Sequence, residues 1–444
     1  MTKGSATKVL RAGQVIGATA IYEGGEVVVD AAGLIQCVGC DCAATPGYAG
    51  ATTVNCAGGV VSPSFINTHD HITYAQLAPI AHAQRYDTRN QWRKGLDGKT
   101  KLNTPANSAK ESVSWGELRF VLAGATATAG SGSASGLLRN VDVANAQEGL
   151  GLNPAADFDT FPLYDSGATS FPTNACSYQD VIPQANVDKL KAYLPHVSEG
   201  VNAAAHNEFD CADGVAPSQV DLLKPQTAII HAVGLNPADY AAMANDGTGL
   251  IWSPRSNIDL YGFTAAVTTA ARAGVQIALG TDWTASGSMN ILRELACADS
   301  YNQTSLGGFF SDYKLFKMVT SDAAALVASD DKIGSIKNGY FADLTIWDSK
   351  GKGAVDAVIR GKEADLSLVM RAGLVLTGEG DLVDALDPTG GAKCEVLDVC
   401  GSSKKVCAER ETGLTIAAMR AAIESKPNLL NIPDKKVYDL FFCG

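Results

Sequence analysis

Four of the six histidines in this 444-residue chain follow short apolar runs of strand-like composition. An aspartate follows another such run. The five residues concerned are His69, His71, His196, His231 and Asp282. Each of them alone could be a packed histidine or a capping aspartate. Four of the predicted strands end in such a polar residue, a pattern that is not expected by chance. We therefore expect these side chains to share one site.

The spacing of two pairs indicates what such a site could do. His69 and His71 are two residues apart, so on a strand both imidazoles face the same side and can bind one ion. Glu199 follows His196 by three residues. If His196 binds a metal, this spacing places the Glu199 carboxylate near the ion but outside its ligand sphere, where a proton shuttle would act.

The elements that position these residues follow a repeating pattern. Between residues 59 and 335, apolar strands, loops and amphipathic helices alternate, which predicts parallel βαβ units and, most economically, a (β/α)₈ TIM barrel. Short strands are predicted before residue 58 and again after residue 336, the latter including Val355 to Arg360. We therefore predict an α/β protein in which a barrel (59–335) carries a small β-sandwich domain built from both termini (1–58 and 336–444, with a C-terminal tail).

One stretch breaks the alternation. Residues 85–111 are polar and aperiodic, with seven basic and three acidic residues in a chain of net charge −12. A loop of this length is typical of a lid or binding loop, the alternative being a solvated excursion. We expect Arg85, Arg89 or Arg93 to offer a guanidinium to an anionic substrate group.

The amino-acid composition and net charge limit the kinds of molecule that this protein is expected to bind. With 46% hydrophobic and 18% charged residues, the chain can bury a large core, which excludes disorder. The net charge of −12 argues against nucleic-acid binding and favours a small-molecule substrate. No apolar run reaches 18 residues, so no membrane span is predicted. Residues 1–13 lack the apolar core of a signal peptide, although a signal could have been removed.

Cysteine usage bears on the compartment. Eight of the eleven cysteines lie near the two chain ends, which favours disulfides and a periplasmic or secreted location. Reduced cysteines in the cytoplasm, or a cysteine-bound structural zinc, are the alternatives.

Further motifs complete a family pattern. They are Trp252 to Asn257 with Leu260 to Gly262, Thr320 to Leu326, Lys332 to Ile336 and Gly339 to Leu344. With the histidine motifs, the chain resembles the metal-dependent amidohydrolase superfamily over nearly its whole length. The resemblance is to the branch of cytosine, guanine and S-adenosylhomocysteine-type deaminases and triazine hydrolases.

The resemblance implies roles for individual residues. His69, His71, His196 and Asp282 would bind one divalent ion, zinc being expected for three nitrogens and one oxygen and iron being possible. Glu199, His231 and Asp282 would be the catalytic groups. Many relatives carry a lysine that bridges two metals; residues 157–165 contain none, so a mononuclear site is expected.

The predicted function is hydrolytic deamination of a small, planar, cyclic nitrogen compound by a metal-activated water. Hydrolysis of an amide, carbamate, lactone or C–Cl bond in the same site is the alternative, and a non-catalytic barrel is a third reading. His82 and Glu208 are further candidates for substrate contact, with packing roles as their alternatives. The barrel places Cys176 and Cys211 on adjacent loops, where a disulfide is a hypothesis. By analogy with the family, a homodimer is possible.

Overall fold

The computed structural model describes residues 1–178, 181–215 and 220–443. The strands in chain order are β1 (Ser5–Ile16), β2 (Ile21–Glu23), β3 (Glu26–Val29), β4 (Ile35–Gly39), β5 (Ala51–Pro63), β6 (Phe65–Asp70), β7 (Ala125–Gly130), β8 (Arg139–Asn140), β9 (Asp157–Asp159), β10 (Tyr193–Val197), β11 (Ala228–His231), β12 (Gly249–Trp252), β13 (Ile277–Leu279), β14 (Leu344–Asp348), β15 (Leu366–Arg371), β16 (Leu374–Glu379), β17 (Glu395–Val399) and β18 (Ser402–Val406).

Helices fill most of the connections between these strands. In chain order they are α1 (Arg89–Lys94), α2 (Lys110–Val121), α3 (Gln184–Val187), α4 (Ala203–Asp210), α5 (Pro237–Asn245), α6 (Pro254–Tyr261), α7 (Val267–Ala273), α8 (Ile291–Thr304), α9 (Asp312–Lys317), α10 (Ser321–Leu326), α11 (Ala354–Ile359), α12 (Gly380–Leu386), α13 (Ala408–Thr412) and α14 (Ile416–Glu424). None of the helices in the described part of the chain has the length and apolar character that crossing a bilayer requires.

The eight strands β6 to β13 form two parallel sheets. One has the order β13-β12-β11-β10-β9 and the other the order β6-β7-β8. The sheets meet where β6 lies beside the segment that follows β13: Asp70 and Asp282 form a parallel bridge, and the Asp282 amide donates to the His69 carbonyl (3.0 Å). Parallel strands with helical connections place their carboxyl ends at one face, which is where ligands bind in such folds.

An apolar core ties the parallel strands together. Buried side chains from six of them pack into one cluster with Ala323 and Ala324 of α10. The strand residues are Ile66, Ala127, Leu194, Ile230, Ile251 and Ala278. Small residues opposite branched ones allow the strands to approach closely, so the polar side chains at their carboxyl ends are held at fixed positions.

The two ends of the chain share a second, mixed sheet of ten strands. Its order is β17-β18-β16-β15-β14-β5-β1-β3-β4, with β2 paired to β1. The central contact joins β5, near the N-terminus, to β14, near the C-terminus, in antiparallel register from Pro63 with Leu344 to Gly59 with Asp348. The 13-residue strand β5 runs through the expected domain boundary at residue 58 and leads directly into β6.

Three local expectations were wrong. Val355 to Arg360 is not a strand but lies in α11, because Ala354, Ala357 and Val358 are buried at helical spacing. Val187 to Tyr193, which was expected to be a strand that leads into His196, is not a continuous strand: Val187 ends α3, and β10 begins only at Tyr193. The basic stretch 85–111 is not wholly irregular, since it contains α1 and the start of α2.

A buried ion pair links the parallel strands to the mixed sheet. Arg139 of β8 donates through Nε and Nη2 to the two carboxylate oxygens of Asp343, which directly precedes β14, at 2.9 and 3.0 Å. The guanidinium also lies 4.7 Å from the ring centroid of Phe341. Burial raises the pKa of Asp343, but the charge and hydrogen bonds of Arg139, together with hydrogen bonds from the Ala372 amide and Thr126, outweigh burial and lower this pKa. Each of the two buried charges is therefore stabilised by the other.

Removing one partner should destabilise the fold strongly. We expect Arg139→Met to lower the free energy of unfolding by about 3–5 kcal/mol, because Asp343 would stay buried without a counter-ion. Lys189→Met removes the same charge at an exposed position and should change it by less than about 0.5 kcal/mol. Urea unfolding of both variants measures the difference; equal midpoints would contradict a structural role for the pair.

Four disulfides are present among the described residues. They join Cys37 to Cys42, Cys176 to Cys211, Cys394 to Cys407 and Cys400 to Cys443. The hypothesis of a Cys176–Cys211 bond is confirmed, with an S–S distance of 2.07 Å. Cys40, Cys56 and Cys297 are free. Because three of the bonds lie near the chain ends, they cross-link the region of the mixed sheet rather than the parallel strands.

Thiol counting tests this pattern. Denatured protein, kept from reductants, should react with three equivalents of a thiol reagent, and with eleven after reduction. Cys176→Ser should raise the first count to four by releasing Cys211, whereas Cys297→Ser should lower it to two. A count of eleven before reduction would show that the bonds do not form.

Candidate metal centre and active site

The side chains expected to share a site do lie together, at the carboxyl ends of the parallel strands. His69 is in β6 with His71 directly after it, His196 is in β10, His231 ends β11, and Asp282 follows β13. His69, His196 and His231 are at most 1% exposed. The residues come from four separate strands in two sheets, so their proximity depends on how these strands are arranged and not on closeness in the sequence.

Five of the six distances among the four donor atoms are close to those of a tetrahedral ligand set. The Nε2 atoms of His69, His71 and His196 form a triangle with edges of 3.4, 3.2 and 3.1 Å. Asp282 Oδ1 lies 3.4 Å from Nε2 of His69 and 3.6 Å from that of His71. Ligands at about 2.0–2.1 Å from a tetrahedral zinc lie about 3.3–3.4 Å apart. The residues therefore fit a single divalent ion.

Hydrogen bonds orient the imidazoles for this purpose. Nδ1 of His196 donates to the backbone carbonyl of Asp159 (2.9 Å), which leaves the lone pair on Nε2, facing the cluster. Nδ1 of His69 contacts Ser253 Oγ (3.0 Å). Burial, followed by the neighbouring imidazoles, lowers the pKa of His69 and His196, and burial lowers that of His71 to about 4. The three rings are therefore neutral, as metal binding requires.

The fourth donor is held by a hydroxyl pair. Ser256 Oγ donates to Oδ2 of Asp282 and lies 2.8 Å from Ser286 Oγ. This leaves Oδ1 facing the imidazoles. Burial and the nearby Glu199 raise the pKa of Asp282, because neutral imidazoles cannot balance its charge. A divalent cation at the cluster would do so.

Strained backbone accompanies the site. Ser198, His231, Ala232 and Asp282 have positive φ angles of 58°, 76°, 49° and 66°, a region that non-glycine residues seldom adopt. All four lie at or just after the ends of β10, β11 and β13. Because such conformations are costly, their concentration here is typical of a functional site.

Glu199 lies beside the cluster and is held by a tyrosine. Tyr261 Oη donates to Glu199 Oε1 (2.6 Å), and Trp92 Nε1 donates to Tyr261 Oη (2.9 Å). Burial raises the pKa of Glu199, and the positive charge of Arg89 and the Tyr261 hydrogen bond oppose that rise. This carboxyl is thus fixed in position at a site able to keep or release a proton.

His231 faces the same carboxylate. Asn257 Nδ2 donates to Nδ1 of His231 (3.0 Å), which leaves the ring proton on Nε2. Nε2 lies 3.6 Å from Glu199 Oε2. The imidazole is therefore placed to donate a hydrogen bond beside the metal cluster.

Arg89 is neutralised inside the protein. Its guanidinium lies 3.4 Å from Glu208, 3.6 Å from Asp165 and 3.9 Å from Glu199. It also donates to the Thr160 carbonyl (2.8 Å). Glu208 in turn accepts from the Ser198 amide (3.0 Å). Glu208 thereby supports the loop that carries Glu199 and does not line the cavity.

A cavity of about 510 Å³ opens onto the cluster. His71, His196, Asp282 and Glu199 lie in its lining. Aromatic and cationic side chains line the rest, together with small polar ones. They are Tyr74, Trp92, Phe161 and Trp283, and Arg89, Arg93 and Lys101. The volume suits a small molecule, and the aromatic faces suit a planar one.

Besides Glu208, two further residues expected to contact substrate lie outside the cavity lining. The exposed Arg85 donates to the backbone carbonyl of Asp259, outside the cavity lining. His82 is bonded to the Gln84 carbonyl (2.7 Å) and to Asp259 (2.8 Å), a packing role. Of the three arginines expected to meet substrate, Arg93 is in the cavity without being tied up by carboxylates.

Sequence reasoning did not assign the aromatic lining or Tyr261. Trp283 directly follows Asp282, and Trp92 lies in the basic stretch, so both had a positional signal. Phe161 and Tyr74 had none, because their place depends on how the loops fold over the strand ends.

Comparison with known proteins supports the family assignment. The amidohydrolase family profile matches residues 196–376. The 5-methylthioadenosine/S-adenosylhomocysteine deaminase of Desulforudis audaxviator (strain MP104C) is 27% identical over 197 residues, which are 40% of this chain and 45% of that protein. The deaminase of the same name from Symbiobacterium thermophilum is 24% identical over 365 residues, which are 74% of this chain and 82% of that protein. The match to this chain thus covers less than half of the first relative and most of the second.

A solved structure extends the likeness to the fold. Atrazine chlorohydrolase from Arthrobacter aurescens TC1, complexed with zinc, superposes with a TM-score of 0.59 at 17% identity, covering 83% of this chain and 95% of that one. The predicted resemblance to amidohydrolases is confirmed, and their TIM-barrel fold agrees with the parallel strands seen here. The predicted class, a hydrolase acting on carbon–nitrogen bonds, agrees with these relatives.

Metal binding can be tested without a substrate. Dialysed wild-type protein should retain one zinc per chain, and His196→Ala and Asp282→Asn should each weaken binding by more than about 100-fold, since the loss of a direct ligand exceeds the effect of an outer-shell change. His82→Ala, which removes an imidazole outside the cluster, should bind as wild type does. Plasma emission analysis and zinc titration measure this; undiminished zinc in both ligand variants would contradict the assignment.

Proposed function

We propose that this protein is a metal-dependent hydrolase that deaminates a small planar nitrogen compound. The observation that carries the proposal is the close spacing of three imidazole nitrogens and one carboxylate oxygen beside Glu199, where the cavity opens onto them. The deaminases among the relatives support the reaction type.

His69, His71, His196 and Asp282 would hold one ion. Zinc is favoured by the nitrogen-rich set and by its presence in the chlorohydrolase structure, with iron as the alternative. A single ion is favoured because residues 157–165 contain no lysine to bridge a pair. When bound, such an ion supplies Lewis acidity that makes water nucleophilic near neutral pH.

The other groups of the site handle protons and orientation. Glu199 takes a proton from the attacking water and delivers it to the leaving nitrogen, which must depart as ammonia. Tyr261 holds Glu199 Oε2 towards the reacting centre by bonding Oε1. His231 donates from Nε2 to the charge that develops at the attacked carbon. Asp282, held by the Ser256 hydroxyl, accepts the other proton of that water and returns it to a ring nitrogen, so that both protons reach the products.

The alternative, cleavage of an amide, carbamate, lactone or C–Cl bond, uses the same residues. It is kept because the structurally similar chlorohydrolase has the same fold. The products separate the two: deamination releases ammonia, and the alternative releases carboxylate or chloride.

The wider architecture is part of the proposal. The parallel strands β6 to β13 would close into a (β/α)₈ barrel, and the mixed sheet would form the terminal β-sandwich. The four disulfides favour a periplasmic or secreted protein. A homodimer stays a prediction.

Ammonia release tests the reaction. Zinc-loaded protein should release ammonia from at least one member of a panel of purines, pyrimidines, pterins, triazines and cyclic ureas, measured by a coupled assay. Glu199→Gln should reduce the rate by about 100- to 10,000-fold, because it removes the proton carrier. Glu23→Gln, at an exposed carboxylate of the mixed sheet, is the matched control and should be unaffected. Chloride or carboxylate without ammonia would replace deamination by the alternative.

A further inference from the structure

Arg93 is a half-buried cation without a carboxylate partner. It projects from α1 into the cavity, where its guanidinium stacks 4.1 Å from the ring centroid of Phe161 and donates to Asn90 Oδ1 (2.9 Å). Within the part of the chain that the structure describes, no carboxylate oxygen lies within 4.0 Å of it. Arg89, one helical turn earlier, has three such carboxylates. The same short helix therefore delivers one satisfied and one unsatisfied guanidinium.

This difference has an electrostatic consequence. Burial and the positive charge of Arg89 both disfavour the charged form of Arg93 and lower its pKa. A guanidinium stays protonated under all ordinary conditions, so the folded protein bears the free-energy cost of a half-buried, unpaired charge at Arg93. An anion that enters the cavity would remove this cost by pairing with the guanidinium.

A second cation lies in the lining of the same cavity. Lys101 is exposed there, beside Leu102 and Asn103, and among the described residues no carboxylate reaches its Nζ within 4.0 Å. The remaining basic residues of the 85–111 stretch are bound elsewhere. Lys99 pairs with Asp87 (3.4 Å), Lys110 donates to the Thr412 carbonyl (2.7 Å), and Lys94 donates to the Ala168 carbonyl. Arg93 and Lys101 are thus the cations of this stretch left for a ligand.

Aromatic rings flank the cations. Trp92 and Trp283 lie 4.9 Å apart, and Tyr74 lies 5.4 Å from Trp283, edge to face. Aromatic side chains that line the same cavity as the cations and the donor cluster suit a flat ring. A neutral ring alone would leave both positive charges unused.

We propose that the substrate is a planar nitrogen heterocycle that carries an anionic substituent, bound by Arg93 and Lys101 while its C–N centre meets the metal cluster. This deepens the proposed function and rests on it. Carboxylate and phosphate share the geometry that a guanidinium fork binds. The group recognised is therefore an oxyanion, and the test separates the two kinds.

Binding to zinc-loaded Glu199→Gln protein, measured by calorimetric titration, tests the proposal without turnover. The probes are matched pairs: cytosine with 5-carboxycytosine, pterin with pterin-6-carboxylate, and adenosine with adenosine 5′-monophosphate. In at least one pair the anion should bind about 10- to 100-fold more tightly than its neutral partner, as expected for hydrogen bonds to a charged group. The first two pairs report on carboxylate and the third on phosphate.

Variants made in the same background assign the preference to residues. Adding Arg93→Gln should abolish most of the preference for the anionic probe over its neutral partner. Arg93→Lys should retain part of this preference, and Lys101→Met should reduce it. Lys99→Met, which removes a cation from the same stretch but outside the cavity, should leave it unchanged. Zinc content and melting temperature, measured for each protein, identify any variant that fails to fold.

The outcomes separate this inference from the proposed function. An anion preference that survives Arg93→Gln in folded protein would overturn the inference, as would equal binding of the partners in every pair or no binding of any anion. If wild-type protein binds anions through Arg93 but releases no ammonia from them, the deaminase proposal fails and the binding site stands. If ammonia is released from neutral rings only, the deaminase proposal stands and the inference of an anionic substituent fails.

Discussion

Four donor atoms, with five of the six distances between them at 3.1–3.6 Å, are the constraint on which this structure depends. The side chains that carry these atoms come from residues as distant along the chain as His69 and Asp282, and His196 presents a lone pair to their shared space because its ring proton is donated to the Asp159 carbonyl. The side chains stay together because the strands that carry them are held by a shared apolar core and by the bridge between Asp70 and Asp282. A shift of one strand by one residue would turn its ligand away from the cluster.

Charge balance is the second constraint. Glu199, Glu208, Asp165 and Asp282 are buried within a few ångströms of the strand ends, and leaving them unpaired would cost several kcal/mol each. Arg89 approaches three of them, and the charge of the fourth, Asp282, would be balanced by a divalent cation held with the imidazoles. The guanidinium has a positioning effect as well, because its hydrogen bond to the Thr160 carbonyl ties α1 to the strand ends. The helix is therefore anchored by the charges that it neutralises.

Sequence reasoning predicted the site better than its surroundings. His69 and His71 could be placed because a strand has a period of two, and His196, His231 and Asp282 because each follows an apolar run. The fate of the arginines could not be predicted, since the partners of Arg89 lie 76 to 119 residues away in the chain. Val355 to Arg360 resembled a strand because three of its residues are β-branched, and only the packing showed that one face of a helix is buried there. Local composition predicts the helices and strands, whereas pairing between charges that are distant in the sequence decides which polar groups remain without a partner.

One short helix, α1, contacts both the cavity and the residues that hold Glu199. Arg89 anchors α1 from within, and Arg93, on the same helical face, points a second guanidinium into the cavity. Between them Trp92 faces the cavity and donates to Tyr261, which in turn bonds Glu199. A ligand that displaces Trp92 would therefore also displace the tyrosine that holds the Glu199 carboxylate. The donor atoms at the strand ends are fixed by strand register, whereas this series of contacts depends on the residues of a single loop. Under the proposed function, substitutions in α1 would therefore change the substrate preference and leave the donor atoms at the strand ends in place.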